Sequence, residues 1–167
     1  MASPADDTDE RASRYAAQRS VRIEYRLGFG RDGSVYSTDQ ATAIKAYLRP
    51  DPYRRELGCY QRLQAHGVSE IAGHNVPELC GWHDELCVIE IGIVKPPYLL
   101  DFADGYLDRP PEFPEGVLES WYDERRELFG PRWPHVETVL TLLRRRYGIH
   151  LLDIHPGNIT FVDPPAA

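Results

Sequence analysis

The sequence predicts an α+β fold in which a small, mainly antiparallel sheet precedes a helical part. Short apolar segments with a two-residue period, typical of half-buried strands, lie in the earlier part of the chain. Longer segments with apolar residues at helical spacing lie toward the C-terminus. With 167 residues, of which 42% are hydrophobic, the chain is long enough to form one domain with a real core.

Five strands are expected before the helical part. In SVRIEYRLGFG, Val21, Ile23, Tyr25 and Leu27 alternate with polar residues, which predicts a half-buried strand. The segments GSVYS and ATAIKAYL predict the next two strands, and Lys45 lies near the centre of the second. VPELCGWHDE and LCVIEIGIV predict the last two. The final one is apolar almost throughout, which favours a position inside the sheet.

Three helices are expected. The first begins at Asp51 and Pro52, and Gly67 is placed to end it. The second runs from about 114 to 129 and the third from about 133 to 147, where a glycine ends it. The side chains expected to be buried in these two helices are Val117, Leu118, Trp121, Leu128 and Phe129, then Val136, Val139, Leu140, Leu143 and Tyr147.

The N-terminal segment is predicted to be flexible. Residues 1–20, MASPADDTDERASRYAAQRS, combine mixed charge with small side chains and no lasting apolar period. Helical structure is expected at most near the end of this segment. The ordered domain is therefore expected to begin at Val21.

Two motifs suggest phosphate chemistry. LGFGRDGSVY contains Gly28, Gly30, Gly33 and Val35 as a full G-x-G-x-x-G-x-V, in which glycines let a phosphate approach backbone N–H groups. By itself this pattern also fits an ordinary hairpin turn. A lysine, Lys45, follows in AIK on a predicted strand, where its ammonium would neutralise phosphate charge.

The second motif is LLDIHPGNI. It places Asp153 five residues before Asn158, an acid and an amide that could hold a hydroxyl and a metal ion on one loop. An Asx-type turn, in which both side chains satisfy local backbone groups, is the alternative interpretation. His155, within the motif, is expected to brace the loop. Glu56, on the first helix, is the expected partner of Lys45, with Glu70 and Glu24 as alternatives.

Together these motifs resemble the protein-kinase-like superfamily, and D-I-H-P-G-N is most similar to the aminoglycoside-phosphotransferase branch. The resemblance covers about 21–162. It implies a two-lobed fold with a five-stranded antiparallel N-lobe plus one helix, about 21–96, and a truncated, mainly helical C-lobe, about 97–167. It also implies ATP as a ligand, bound by Gly28, Gly30, Gly33, Val35, Lys45 and Glu56, with Asp153 and Lys45 in catalytic roles.

Two departures from the family pattern stand out. Leu151 occupies the position where relatives have a histidine two residues before the acid. No D-F-G or D-W follows Asn158, so the usual second metal-binding acid is missing, and Asp163 is the only acid after Asn158. The expected metal ligands are therefore Asn158 and Asp163. Because a neutral amide is a weak ligand for Mg²⁺, we expect weak metal dependence.

Composition and charge limit the classes of partner and the compartment that are expected. A formal net charge of −7 argues against a nucleic-acid-binding surface. No apolar run is long enough to span a membrane, and the three cysteines form no even framework, so a cytoplasmic protein without membrane or nucleic-acid partners is expected. Two other metal sites are alternative interpretations. The pattern C-x2-H-x3-C, formed by Cys80, His83 and Cys87, could bind zinc with Cys59 as a fourth ligand. A hydrolase-type metal cluster could form around Asp153.

Two functional hypotheses from different classes follow. The first is a phosphotransferase that moves the γ-phosphoryl of ATP to a hydroxyl of a small molecule or protein. The second is a pseudokinase, a nucleotide-binding module that regulates a protein partner. The missing D-F-G favours the second hypothesis, whereas Lys45, Asp153 and Asn158 favour the first. A truncated paralogue, or half of an assembly that a partner chain completes, is a third possibility.

Overall fold

A computed structural model describes residues 3–162 of the chain. The central element is a five-stranded antiparallel sheet. Its strands are β1 (Ile23–Phe29), β2 (Gly33–Thr38), β3 (Thr42–Tyr47), β6 (Leu79–His83) and β7 (Val88–Gly92). They lie in the order β1-β2-β3-β7-β6 across the sheet. A two-stranded hairpin, β4 (Glu70–Ile71) and β5 (His74–Asn75), lies outside this sheet. The predicted α+β class with five antiparallel strands is confirmed, and the most apolar strand, β7, lies inside the sheet as expected.

The first strand differs from its predicted environment. Alternation predicted a half-buried β1, but Ile23 is its one partly buried residue, and Tyr25 and Leu27 are 62% and 53% exposed. The strand order explains this, because β1 is an edge strand that pairs with β2 alone.

The two faces of the sheet carry different layers because side chains alternate along each strand. On one face, Ile44, Ala46 and Val88 pack with residues of helix α1 (Pro4–Arg19). On the other face, Tyr47 and Ile89 join the main core with helix α2 (Pro50–Ala65). Each face of the sheet is therefore covered by one helix.

The prediction of a flexible tail over residues 1–20 is wrong for the segment that forms α1. The helix begins with a capping box, in which Ser3 Oγ accepts a hydrogen bond from Asp6 N–H and the Asp6 carboxylate accepts one from Ser3 N–H. Ala12, Tyr15 and Ala16 are almost completely buried against the sheet. The part of the molecule around the sheet therefore has two helices where the sequence predicted one.

A buried carboxylate fastens α1 to the sheet. Glu90, 2% exposed on β7, accepts hydrogen bonds from Tyr15 Oη at 2.9 Å and from Thr42 Oγ1 at 2.8 Å. Arg19 Nε lies 3.1 Å from the same carboxylate and supplies a positive charge. Burial and the neighbouring Glu90 raise the pKa of Tyr15, so its hydroxyl keeps the proton that it donates.

The second part of the chain is mainly helical, as predicted. Its elements are β8 (Gly105–Leu107), α3 (Val117–Phe129), a 3-10 turn (Gly130–Arg132), α4 (Trp133–Tyr147) and β9 (Ile149–Leu151). Helix α4 has the predicted bounds, and its C-terminal Gly148 adopts the left-handed conformation with a φ of +65°.

The side chains of α4 predicted to be buried are fully or partly buried, whereas several side chains of α3 predicted to be buried are exposed. In α4, Val136, Val139 and Leu143 are fully buried, and Leu140 and Tyr147 are partly buried. In α3, Phe129 is the one fully buried residue. The side chains predicted to be buried there but found largely exposed are Val117, Leu118 and Leu128, at 43%, 44% and 49%. Trp121 is partly buried.

A short antiparallel connection joins the segment after β7 to the end of the described chain. Leu99 and Ile159 form an isolated bridge, Leu100 N–H donates to Asn158 O at 2.8 Å, and Thr160 N–H donates to Tyr98 O at 3.0 Å. The strand predicted in NITFV is limited to this bridge. Within the described part of the chain, no helix has the length and hydrophobicity needed to cross a bilayer.

Candidate functional site

Of the three glycines in the glycine-rich motif, one is required by the packing of the sheet and two are not. The turn between β1 and β2 is closed by a hydrogen bond of 2.9 Å from Gly30 N–H to Gly33 O. A Cβ at Gly33 would lie 1.9 Å from the carbonyl oxygen of Ala46 on β3, so only glycine fits. At Gly28 and Gly30 a Cβ would meet nothing within 4 Å. The fold therefore requires Gly33, whereas Gly28 and Gly30 leave open space above the turn.

Lys45 and Glu56 form an ion pair under the sheet. Lys45, paired with Val35 across β2 and β3, points its Nζ to within 2.7 Å of Glu56 Oε2 on α2. Glu56 is buried, and it also accepts hydrogen bonds from the Tyr47 hydroxyl at Oε2 and from Phe102 N–H at Oε1. Glu56 is therefore the acid that the fold places beside Lys45, in preference to Glu70 or Glu24.

Lys45 and Glu56 each stabilise the charged form of the other. Burial opposes the charge on Lys45, but the carboxylates of Glu56 and Asp101 outweigh burial and raise the pKa of the ammonium. Burial raises the pKa of the Glu56 carboxyl, and the Lys45 charge acts in the opposite direction. Lys45 therefore stays a cation throughout the neutral pH range and presents a fixed positive charge.

A cavity of about 400 Å³ opens beside this ion pair. Its walls come from both parts of the molecule and are largely apolar, and they include Leu27, Val35, Ala43, Ile91, Tyr98 and Leu100. Its polar lining includes Lys45, Glu56, Asp101 and Asn158. We refer to it as the Lys45 cavity. It combines an apolar slot, formed by these apolar side chains, with a cation and the oxygen-bearing side chains of Glu56, Asp101 and Asn158.

The loop that follows β9 is held by its own side chains. Asn158 Oδ1 accepts a hydrogen bond of 3.0 Å from His155 N–H, and Asn158 Nδ2 donates one of 2.6 Å to Asp153 O. His155 Nδ1 accepts a hydrogen bond of 3.0 Å from Gly157 N–H, which agrees with its expected bracing role. From α3, Trp121 Nε1 donates to Leu152 O at 2.9 Å. The Asn158 amide therefore makes the local bonds of the alternative, Asx-type interpretation, although an amide oxygen has a second lone pair.

Asp153 lines a second cavity, of about 250 Å³, which shares no lining residue with the Lys45 cavity. We refer to it as the Asp153 cavity. Arg31 of the β1–β2 turn forms an ion pair of 2.8 Å with Asp104 in its wall. The remaining lining is apolar and includes Phe113, Val117, Leu118 and Trp121. Two of the exposed apolar residues of α3, Val117 and Leu118, therefore form part of the wall of this cavity.

Asp101 is a site residue that sequence reasoning missed. Its Oδ1 lies 3.3 Å from Lys45 Nζ, and its side chain is 38% exposed in the Lys45 cavity. Asp101 has a positive φ of +66°, a conformation that few residues other than glycine adopt. The signal was present in YLLDFADG, where an acid follows a short apolar run. The family pattern places the acid after Asn158, whereas Asp101 precedes the Asp153 loop in the chain.

The remaining metal hypotheses find no support. Among residues 3–162, no group of three or more His, Cys, Asp or Glu side chains could hold a metal ion. Cys80 and Cys87 donate to nearby backbone carbonyls, and His83 accepts from Leu86 N–H. The zinc and hydrolase-type clusters are therefore not assembled. Asp163, the predicted second metal ligand, lies outside the described residues.

Comparison with solved structures gives distant similarity only. No protein-family profile and no curated protein sequence matches the chain. Among solved structures, the streptomycin–ATP–APH(2″)-IIa ternary complex is similar, with a TM-score of 0.45 and 13% sequence identity. The similarity covers 89% of this chain and 41% of that chain, so the chain spans less than half the length of the structure that it matches.

Proposed function

We propose that this protein binds ATP in the Lys45 cavity and transfers the γ-phosphoryl group to a hydroxyl compound in the Asp153 cavity. The observation that carries the proposal is the buried Lys45–Glu56 pair at the polar part of a cavity whose remaining walls are apolar. A nucleoside triphosphate has the matching shape, a flat apolar base joined to a chain of negative charges. A volume of about 400 Å³ lies within the usual range for small-ligand sites.

The walls of the Lys45 cavity suit each part of the nucleotide. Val35 and Ala43 on the sheet, with Leu100 from the second part of the chain, would enclose the purine. The Lys45 ammonium would neutralise phosphate charge, and Glu56 fixes its position. The open space above Gly28 and Gly30 would allow the phosphates to approach the backbone of the turn closely.

Phosphoryl transfer would then proceed between the two cavities. The acceptor hydroxyl oxygen forms a bond to the γ-phosphorus as the bond between that phosphorus and the bridging oxygen breaks, and ADP leaves with the bond's electron pair. The hydroxyl proton passes to the Asp153 carboxylate, which lines the acceptor side. The Asn158 amide fixes the backbone of this loop through Asp153 O and His155 N–H.

Thermal unfolding tests the binding half of the proposal. A ligand at about 100 times its dissociation constant stabilises the folded state by about 2.7 kcal/mol. For a chain of this size, that corresponds to a rise of roughly 5–10 °C in unfolding temperature. The Lys45→Ala variant should lose most of the rise, and Lys95→Ala, at the chain's other lysine, should keep it.

A second variant separates binding from stability. Removing Lys45 leaves Glu56 buried without its cation, so Lys45→Ala is itself expected to be less stable. Ala43→Leu places extra volume in the apolar slot and leaves the ion pair intact. It should also abolish the ATP-dependent rise. A wild-type protein that shows no shift with any purine nucleotide, with or without a metal ion, would refute the proposal.

Turnover of radiolabelled ATP tests the transfer half. Wild-type protein should release labelled phosphate or a labelled product, and Asp153→Asn should reduce the rate by about 10²–10⁴-fold, the usual contribution of a general base. Its ATP-dependent thermal shift should remain, because the Asp153 side chain lines the other cavity. Equal turnover in wild type and Asp153→Asn would remove Asp153 from the mechanism.

A nucleotide-binding regulatory module, the pseudokinase alternative, is the second candidate. The observation that favours it is that both polar atoms of the Asn158 amide already bond the loop backbone. This candidate predicts an ATP-dependent thermal shift with no turnover above background. The two assays together therefore separate the candidates.

A further inference from the structure

We infer that Asp101 supplies the carboxylate ligand of the divalent cation that accompanies the nucleotide. The inference rests on the proposed function, because the cation would reach the site together with the phosphates. It differs from the expectation that the acid follows Asn158 in the chain. Asp101 comes before the Asp153 loop in sequence, and the fold brings it to the same cavity as Asn158.

The backbone connection explains how an earlier segment reaches this position. Two hydrogen bonds, from Leu100 N–H to Asn158 O and from Thr160 N–H to Tyr98 O, align the two segments antiparallel. The Tyr98 N–H also donates to Thr160 Oγ1 at 2.8 Å. Asp101 follows directly, so Asp101 and Asn158 line the same cavity.

The residues after Asp101 fix its backbone. Phe102 is fully buried, donates its N–H to Glu56 Oε1 at 3.3 Å and packs edge-on against Tyr60. Arg55 on α2 donates a hydrogen bond of 2.7 Å to Ala103 O. These contacts hold Asp101 at its positive φ, so the carboxylate is positioned before any ligand arrives.

One oxygen of Asp101 is available to a ligand. Its Oδ1 accepts hydrogen bonds from Lys45 Nζ and Ala103 N–H, whereas Oδ2 makes no hydrogen bond with any described residue. The side chain is 38% exposed, compared with 2% for Glu56. Magnesium takes oxygen ligands and is commonly held by one or two carboxylates together with substrate phosphates. Asp101, the Asn158 amide oxygen and the phosphates provide that ligand set.

Two other carboxylates near Asp101, those of Glu56 and Asp104, have partners already. Glu56 is buried, and both of its oxygens accept hydrogen bonds. Asp104 is paired with Arg31 and Arg55, at 2.8 Å and 3.7 Å. Apart from Glu56, Asp101 is the one acid among residues 3–162 that lines the Lys45 cavity. This assignment replaces the expected weak metal dependence with a strong one.

Calorimetric titration with a non-hydrolysable ATP analogue, in Mg²⁺ or in EDTA, tests the inference. Wild-type protein should bind the analogue more tightly with Mg²⁺. Asp101→Asn keeps an oxygen for Lys45, and asparagine tolerates a positive φ, so the variant should fold. Its Mg²⁺-dependent gain in affinity should fall by at least about tenfold, since even outer-shell changes at metal sites cost that much.

Two further variants and a second readout complete the design. Asp101→Gly suits the backbone conformation and removes the carboxylate entirely, so it should also lose the gain. Asp163→Ala, the competing candidate, should keep it. Paramagnetic resonance of Mn²⁺ with the same analogue should show bound metal in wild type and in Asp163→Ala, but not in Asp101→Gly.

The outcomes distinguish this inference from the proposed function. Metal-dependent binding that survives in Asp101→Asn and Asp101→Gly, or is lost in Asp163→Ala, would overturn the assignment and leave nucleotide binding intact. Wild-type binding that is equal in Mg²⁺ and EDTA would also overturn it. If the wild-type protein bound no nucleotide with or without metal, the proposed function would fail and the assignment with it.

Discussion

The Lys45–Glu56 pair allows a quantitative prediction about stability. Removing one member of a buried ion pair typically costs about 3–5 kcal/mol, because the remaining charge is left without compensation. In Lys45→Met, the remaining partners of Glu56 are the neutral Tyr47 hydroxyl and Phe102 N–H, so the full cost is expected. In Glu56→Gln, Lys45 keeps Asp101 at 3.3 Å, so the cost should lie at or below the lower end of the range.

Urea-induced unfolding of the two single variants and the double variant is the assay. The double variant removes both charges, so it should cost clearly less than the sum of the two single variants. Lys45→Met should also depend on pH. Burial raises the pKa of Glu56 above its ordinary value of 4.5, so without Lys45 the folded state takes up a proton that the unfolded state does not. The stability of Lys45→Met should therefore increase as the pH falls through that raised pKa.

Two results would refute this reasoning. One is additivity, in which the double variant costs the sum of the two single variants, because it would mean that the charges do not interact. The other is a Lys45→Met variant whose stability relative to wild type is unchanged between a mildly alkaline and a mildly acidic pH. That result would show that Glu56 is not left charged and buried.

Three smaller predictions concern the fold and can be checked by urea unfolding and analogue titration. Tyr15→Phe should cost about 1.5–3 kcal/mol, the usual value for a buried hydrogen bond to a charged group, and an unchanged midpoint would mean that α1 is not docked on the sheet. Leu143→Ala, in the core, should cost about 2–5 kcal/mol, whereas Leu128→Ala, 49% exposed, should have little effect; equal costs would contradict the orientation of α3 and α4. Gly33→Ala should destabilise the protein, because its Cβ would overlap a β3 carbonyl. Gly28→Ala should keep wild-type stability and weaken nucleotide binding. A larger loss of stability in Gly28→Ala than in Gly33→Ala would contradict the roles assigned to these glycines.

The strands and helices with strong local patterns were predictable from the sequence. Helix α4 has the predicted bounds because its apolar stripe, basic last turn and Gly148 all agree. The N-terminal helix was missed although its signals are present. Ser3 and Asp6 form a capping box, and small or aromatic residues recur at helical spacing as Ala12, Tyr15 and Ala16. Two alanines and a tyrosine in a charged segment give weak hydrophobicity, and the sheet face that they cover cannot be read from local sequence.

The site was predictable where its parts are close in sequence. The pairing of Lys45 with Glu56 follows from a strand and a helix that are neighbours in the chain, and the structure has it at 2.7 Å. The position of Asp101 depends on a long-range contact between residues 98–100 and 158–160, which no local pattern reveals. For the same reason, Val117 and Leu118 of α3 were predicted to be core, whereas they line the Asp153 cavity.

The measurement that tests the central claim most directly is a crystal structure of the protein with a non-hydrolysable ATP analogue and Mg²⁺. We predict density for the purine between Ala43 and Leu100, phosphates within hydrogen-bonding distance of Lys45 Nζ, and a metal ion bound to Asp101. Density for the analogue outside the Lys45 cavity, or phosphates that do not contact Lys45, would contradict the account.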